Sequence, residues 1–148
     1  MAMTAEQQLE GFIAKFAPAN QTLIRALRAS ARRRLPGANE LVYDNYNFLV
    51  IAYSPSVKVT DSYFSLGADR NGVNLFFGYT GTKLDDPKGL LKGTGALNRF
   101  VRLESVATLE RPEVAALIES SIAVSKPMGV AKGSLVIRSI SSKQRPRR

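Results

Sequence analysis

Apolar residues near the start of the chain recur at helical spacing: Leu9, Phe12, Ile13 and Phe16. Thr4 and Gln7 precede them at the spacing of a capping box, in which two side chains satisfy backbone N–H groups that the first turn leaves free. Pro18 suits the first turn of a second helix, where no hydrogen bond is lost to its missing N–H. Leu23, Ile24, Leu27 and Ala31 give that helix an apolar stripe, Arg25, Arg28 and Arg32 share another face, and Leu35-Pro36-Gly37 ends it.

The period then shortens to two. Residues 41–43 and 48–53 are rich in β-branched and aromatic side chains and predict strands. Residues 59–66 and 73–79 predict a hairpin with Asn71-Gly72 in its turn, and Val73, Leu75, Phe77 and Tyr79 share one face. Asp86-Pro87 opens a short turn through Leu91. In 98–104, Val101 and Leu103 point one way and Arg102 and Glu104 the other. Pro112 opens a last helix lined by Val114, Leu117, Ile118 and Ile122, and 135–140 reads as a final short strand. Helices first, antiparallel strands next and a helix near the end predict an α+β fold, with the N-terminal helices and the C-terminal helix packed on an antiparallel β-sheet. Residues 1–141 are expected to form a single domain. Residues 142–148 have no apolar pattern to bury and are expected to form a flexible basic tail.

Composition narrows the chemistry. The 148 residues include neither histidine nor cysteine. Imidazole bases, histidine- or thiolate-held metals, disulfides and cysteine nucleophiles are therefore excluded. No nucleophile–base pair stands out, so no catalytic residue, metal ligand or cofactor is assigned. The longest strongly apolar run, FLVIAY at 48–53, is far below the ~20 residues that span a bilayer. The first sixteen residues carry Glu6 and Glu10 rather than a secretory pattern, and a cytoplasmic location without membrane contact is expected. The net charge is +9, and six of the surplus cations (Lys132, Arg138, Lys143, Arg145, Arg147 and Arg148) lie in an acid-free stretch at the chain's end.

Three constellations bear on binding. LKGTGALNRFVRL at 91–103 lacks phosphate-loop spacing and reads as a glycine turn feeding a strand. The alternative is an anion nest of backbone N–H groups around Gly93 and Gly95, with Lys83, Lys92 and Arg99 nearby. Arg25, Arg28 and Arg32, with Lys143, Arg145, Arg147 and Arg148 of the tail, read as solvated charge or as a nonspecific phosphate-contacting surface for nucleic acid. Tyr43, Tyr46 and Tyr53 read as packing residues or as the lining of a small-molecule pocket between sheet and helices.

ALRASARRRLPGANELVYDNYNFL resembles the helix–LP–acid–tyrosine entry of the YdhG-like family, a domain of unknown function. DDPKGLLKGTGALNRFVRLES is similar to its central glycine turn and strand, and the C-terminal helix with RSISSKQRPRR fits many bacterial members. The resemblance covers roughly residues 5–145. It implies a frataxin-like fold, and some members are described as iron chaperones. A frataxin-type iron surface clusters carboxylates on the first helix, because hard cations need several converging oxygens. Here that helix offers only Glu6 and Glu10, and Asp85-Asp86 is the other acidic pair, so iron binding is disfavoured. The expected function is a non-catalytic binding protein whose ligand, an unknown small molecule, is not specified by the sequence. The alternative is weak nonspecific binding of nucleic acid or of an acidic partner through the tail and the arginine face.

Overall fold

The structure, a computed structural model, describes residues 2–148. Helix α1 runs Ala5–Ile13, and its capping box is complete: Gln7 N–H donates to the Thr4 hydroxyl and Thr4 N–H to the Gln7 side chain. Helix α2 runs Pro18–Arg34 with the proline in its first turn. Strands β1 (Asn39–Asp44), β2 (Leu49–Ser54), β3 (Phe64–Asp69), β4 (Gly72–Phe77) and β5 (Arg99–Leu103) follow. Helices α3 (Val106–Glu110) and α4 (Pro112–Ala123) lead to β6 (Leu135–Ile140).

One six-stranded sheet has the order β5-β4-β3-β2-β1-β6. Neighbours from β1 to β5 pair antiparallel. The expectation of an antiparallel sheet fails at β6, which pairs parallel with β1 and carries a register shift between Val42 and Tyr43. A parallel neighbour requires a long crossover, and α3, α4 and the loop after them supply it. The alternation of a short strand does not say which edge it joins, so the period could not show this. The hairpin turn also differs by one residue. Asp69 pairs with Gly72, so Arg70 and Asn71 make the turn and Gly72 already belongs to β4.

Helix α3 went unforeseen because five residues are too few to show a helical period. It is cut from α4 at Arg111, whose backbone is extended (ψ 141) as the residue before a proline prefers. The buried apolar residues of all four helices join Val42, Ile51, Leu66, Leu75, Phe77 and Leu103 in one core on one face of the sheet. The positions expected inside (Leu75, Phe77, Val101, Leu103, Leu117 and Ile118) are all buried. Among the described residues, no helix is long and apolar enough to cross a membrane.

The end of the chain departs from expectation. Residues 142–148 are not detached from the body but lie against the end of β1. Ser141 N–H donates to the Asp44 carbonyl and Arg145 N–H to that of Tyr46. The Arg147 side chain, 3% exposed, pairs with the equally buried Asp44 at 3.2 Å. Its guanidinium also donates to the Asn45 carbonyl at 2.6 Å and lies over the Phe16 ring. A buried ion pair, rather than apolar side chains, fixes this segment, which is why hydropathy did not reveal it.

Candidate functional site

At the end of the sheet where β1 begins, α1 and α2 bring three charges together. Arg28 occupies the border of the α2 apolar stripe and is buried. Its Nε and Nη2 donate to the two oxygens of Glu40, both at 2.9 Å. Its Nη1 and Nη2 donate to Glu6 at 3.0 and 2.7 Å. The Tyr53 hydroxyl, on the strand position paired with Glu40, donates to the same carboxylate at 2.9 Å. Glu40 lies two positions before Val42 and so shares its helix-facing side, and its side chain is 7% exposed. The planar guanidinium is thus clamped bidentately from two sides, the geometry that makes arginine the suited partner for paired carboxylates.

The electrostatics follow from that clamp. The hydrogen bond from Arg28, with the charges of Arg28 and Arg32, holds the Glu6 carboxyl below its ordinary value against a smaller opposing effect of burial. Burial alone would lower the Arg28 guanidinium. The hydrogen bonds and charges of Glu6 and Glu40 outweigh it and leave the guanidinium above its ordinary range. Burial first, then the charge of Glu40, pushes the Tyr53 phenol well up. Tyr53 therefore stays a neutral donor. With Arg28 and Tyr53 held as donors and every oxygen of Glu6 and Glu40 accepting, the cluster fixes charge in place rather than passing protons.

Beside the cluster opens a cavity of about 540 Å³. Glu6, Glu40 and Tyr53 reach it from the cluster, and Ala29, Leu35, Pro36, Ala38 and Leu135 give it apolar walls. Arg32, Arg33 and Lys132 stand at its rim. The wall made by 132–135 is held by backbone bonds: Gly133 N–H to the Pro36 carbonyl, Glu40 N–H to the Ser134 carbonyl, and Ser134 N–H to the Asn39 side chain. A Cβ at Gly133 would collide with the Ala38 carbonyl, so only glycine lets the two segments approach this closely. Arg32 sits 3.6 Å from Glu40 and 3.9 Å from Glu6, too far for hydrogen bonds. Arg33 is 3.8 Å from Glu110. Lys132 is exposed and pairs with no carboxylate among the described residues.

The residues singled out from sequence scatter. Arg25, Arg28 and Arg32 do not form one free basic face: Arg25 is bonded to Glu10 at 2.9 Å, Arg28 is consumed by the clamp, and Arg32 is ion-paired with Glu40 at 3.6 Å without a hydrogen bond. Of the tail cations, Lys143 is exposed, Arg145 lies over the Tyr46 ring, Arg147 is buried, and Arg148 donates to the Ala14 carbonyl. Only one of the three tyrosines meets the cavity. Tyr53 lines it, Tyr43 faces the opposite side of the sheet because it lies an odd number of positions from Glu40, and Tyr46 is exposed beyond the end of β1.

The glycine stretch is a turn beside a strand. Lys92 exchanges two backbone hydrogen bonds with Phe100, so its N–H is spent on the sheet edge. Gly93 takes φ +116 and turns the chain away. Arg99 donates to the carbonyls of Gly95 and Asn98, so carbonyls rather than N–H groups converge on the cation, the reverse of an anion nest. Lys83 lines a different hollow, with Asp61 and Lys126. Among the described residues no group of three or more acidic side chains converges as a cation site would require.

Glu40 and Lys132 were missed. Glu40 left a signal, a charged residue in phase with Val42 on a buried strand. Arg28 left another, since it stands four residues after Ile24 and so on the edge of the core-facing stripe. Lys132 reaches the cavity only through the parallel pairing of β6, which has no local signature. Compared with family models, with curated proteins and with solved structures, the chain matches none.

Proposed function

We propose that this chain is a YdhG-like protein of the frataxin-like kind, and that it works as a non-catalytic binding protein with a small ligand seated in the cavity between α2 and the start of β1. One observation carries the binding reading. A cavity of about 540 Å³ with apolar walls lies against a buried, prearranged set of charges, the combination that characterises small-molecule sites. What supports the family reading is the matching order of elements, two helices, a run of antiparallel strands and a late helix packed on one face of the sheet. The lack of histidine and cysteine and the mutual hydrogen bonding of Arg28, Glu6, Glu40 and Tyr53 argue for holding over turnover.

Screening small fragments by amide chemical-shift mapping tests the site. Hits should move the resonances of Ala29, Gly133, Ser134 and Leu135, and Ala29→Trp, at an exposed helical position on the cavity wall, should abolish them. Hits that gather at another surface and survive Ala29→Trp would refute the assignment.

A further inference from the structure

We infer that the ligand of this cavity is a small oxyanion, a carboxylate or phosphate monoester carried on an apolar body about the size of one ring. The inference rests on the binding reading above and adds the chemical class. It follows from which hydrogen-bonding capacity around the cavity is still unused. Every carboxylate oxygen of the cluster already accepts at least one bond. Both Glu40 oxygens take bonds from Arg28, one of them also from Tyr53, and both Glu6 oxygens take bonds from Arg28. The Ser134 and Gly133 N–H groups are spent on Asn39 and Pro36.

The donors left over belong to cations. An arginine side chain carries five N–H donors and a lysine three. Arg32 and Arg33 stand 3.6 Å or more from their nearest carboxylates, and Lys132 has none. A ligand that engages these donors brings acceptors. A planar or tetrahedral oxyanion meets a guanidinium fork with two parallel bonds, while the lysine supplies a mobile point charge. Charge points the same way. Arg28, Arg32, Arg33 and Lys132 face Glu6, Glu40 and Glu110, so one positive charge stays uncompensated in a partly desolvated hollow. The carboxylates also exclude a ligand with anionic groups at both ends, since one end would abut Glu40. The apolar remainder of the ligand lies on Ala29, Leu35, Pro36, Ala38 and Leu135.

The test titrates the full chain, labelled for amide resonances, with three probes that share a ring and differ in charge: phenyl phosphate, benzyl alcohol and benzylamine. Phenyl phosphate should saturably shift the Gly133, Ser134 and Leu135 amides, and the two others should not. In the double variant Arg32→Gln, Lys132→Gln its affinity should fall by at least about tenfold, the loss of charge-assisted hydrogen bonds. Lys143→Gln, an exposed tail cation away from the cavity, should leave it unchanged. If benzyl alcohol or benzylamine shifts those amides as strongly, the oxyanion inference falls while the binding reading stands. Undiminished phenyl phosphate binding in the double variant also overturns the inference. If none of the three probes moves those amides, both readings fall together. Both substituted residues are exposed, and the wild-type probe series decides the matter without the variants.

Discussion

Replacing Arg147 tests whether seven residues with no apolar pattern are part of the folded body. Its side chain is 3% exposed and that of Asp44 1%. Breaking a buried pair by removing one partner costs about 3–5 kcal/mol, because the remaining charge stays buried without its mate. Two features of this site place the cost near the lower end. Lys15, 41% exposed, keeps its 2.7 Å bond to the other Asp44 oxygen. Burial also lowers the Arg147 guanidinium, with Asp44 and Asp69 only partly offsetting it, and its Nε has no partner, so the pair starts from a desolvation deficit. Arg147→Met, which keeps a stem over Phe16, should therefore cost about 3 kcal/mol, or roughly 6–12 °C in Tm for a chain of this size. Adding Asp44→Asn should recover part of that loss, because the orphaned charge goes with it. Deleting residues 142–148 should cost at least as much, since Gln144 also bonds Lys15 and the Asp44 carbonyl. Denaturant titration followed by circular dichroism reads each variant. A truncated chain that unfolds at the wild-type midpoint would refute this reasoning and return the tail to solvent.

Phe77→Ala should cost about 3–5 kcal/mol by denaturant unfolding, because the ring is fully buried at the centre of the core. The Glu6 carboxyl sits below its ordinary 4.5 in the folded state, so its contribution is complete above that value and is lost as pH falls through the lower folded value. Unfolding midpoints between pH 3 and 7 should accordingly fall less steeply on acidification in Glu6→Gln than in wild type, and equal slopes would contradict the clamp. Tyr53→Phe removes one of the three bonds to Glu40 and should cost about 1 kcal/mol, while ultraviolet titration of the wild type should show a phenol that does not ionise near its ordinary value of 10 until the fold is lost.

Much of the architecture was legible because local rules decided it. The Thr4–Gln7 box, the prolines at the starts of α2 and α4, and the alternation through Leu75 and Phe77 each fix a backbone choice within a few residues. The site was less legible because long-range pairing assembles it. Arg28 meets Glu6 across 22 positions and Glu40 across 12, and Lys132 comes alongside only because β6 pairs with β1. The arginine face looked continuous because spacing shows which residues share a side of a helix, not which of them a neighbouring element neutralises. The tail misled for a related reason. Hydropathy scores Arg147 as a solvated cation, whereas its burial depends on Asp44, 103 positions away.

The proposed site is the cavity beside the Arg28 clamp, with a small ligand held by the rim cations Arg32, Arg33 and Lys132. A crystal of the full chain soaked with 4-bromophenyl phosphate tests it most directly, since the anomalous signal of bromine locates the ring without prior assumption. One principal bromine peak is expected between Ala29, Pro36 and Leu135, with phosphate oxygens about 3 Å from Arg32 and Lys132. A principal peak on any other surface, or a cavity that stays free of bromine in crystals where its mouth is open to solvent, would contradict it.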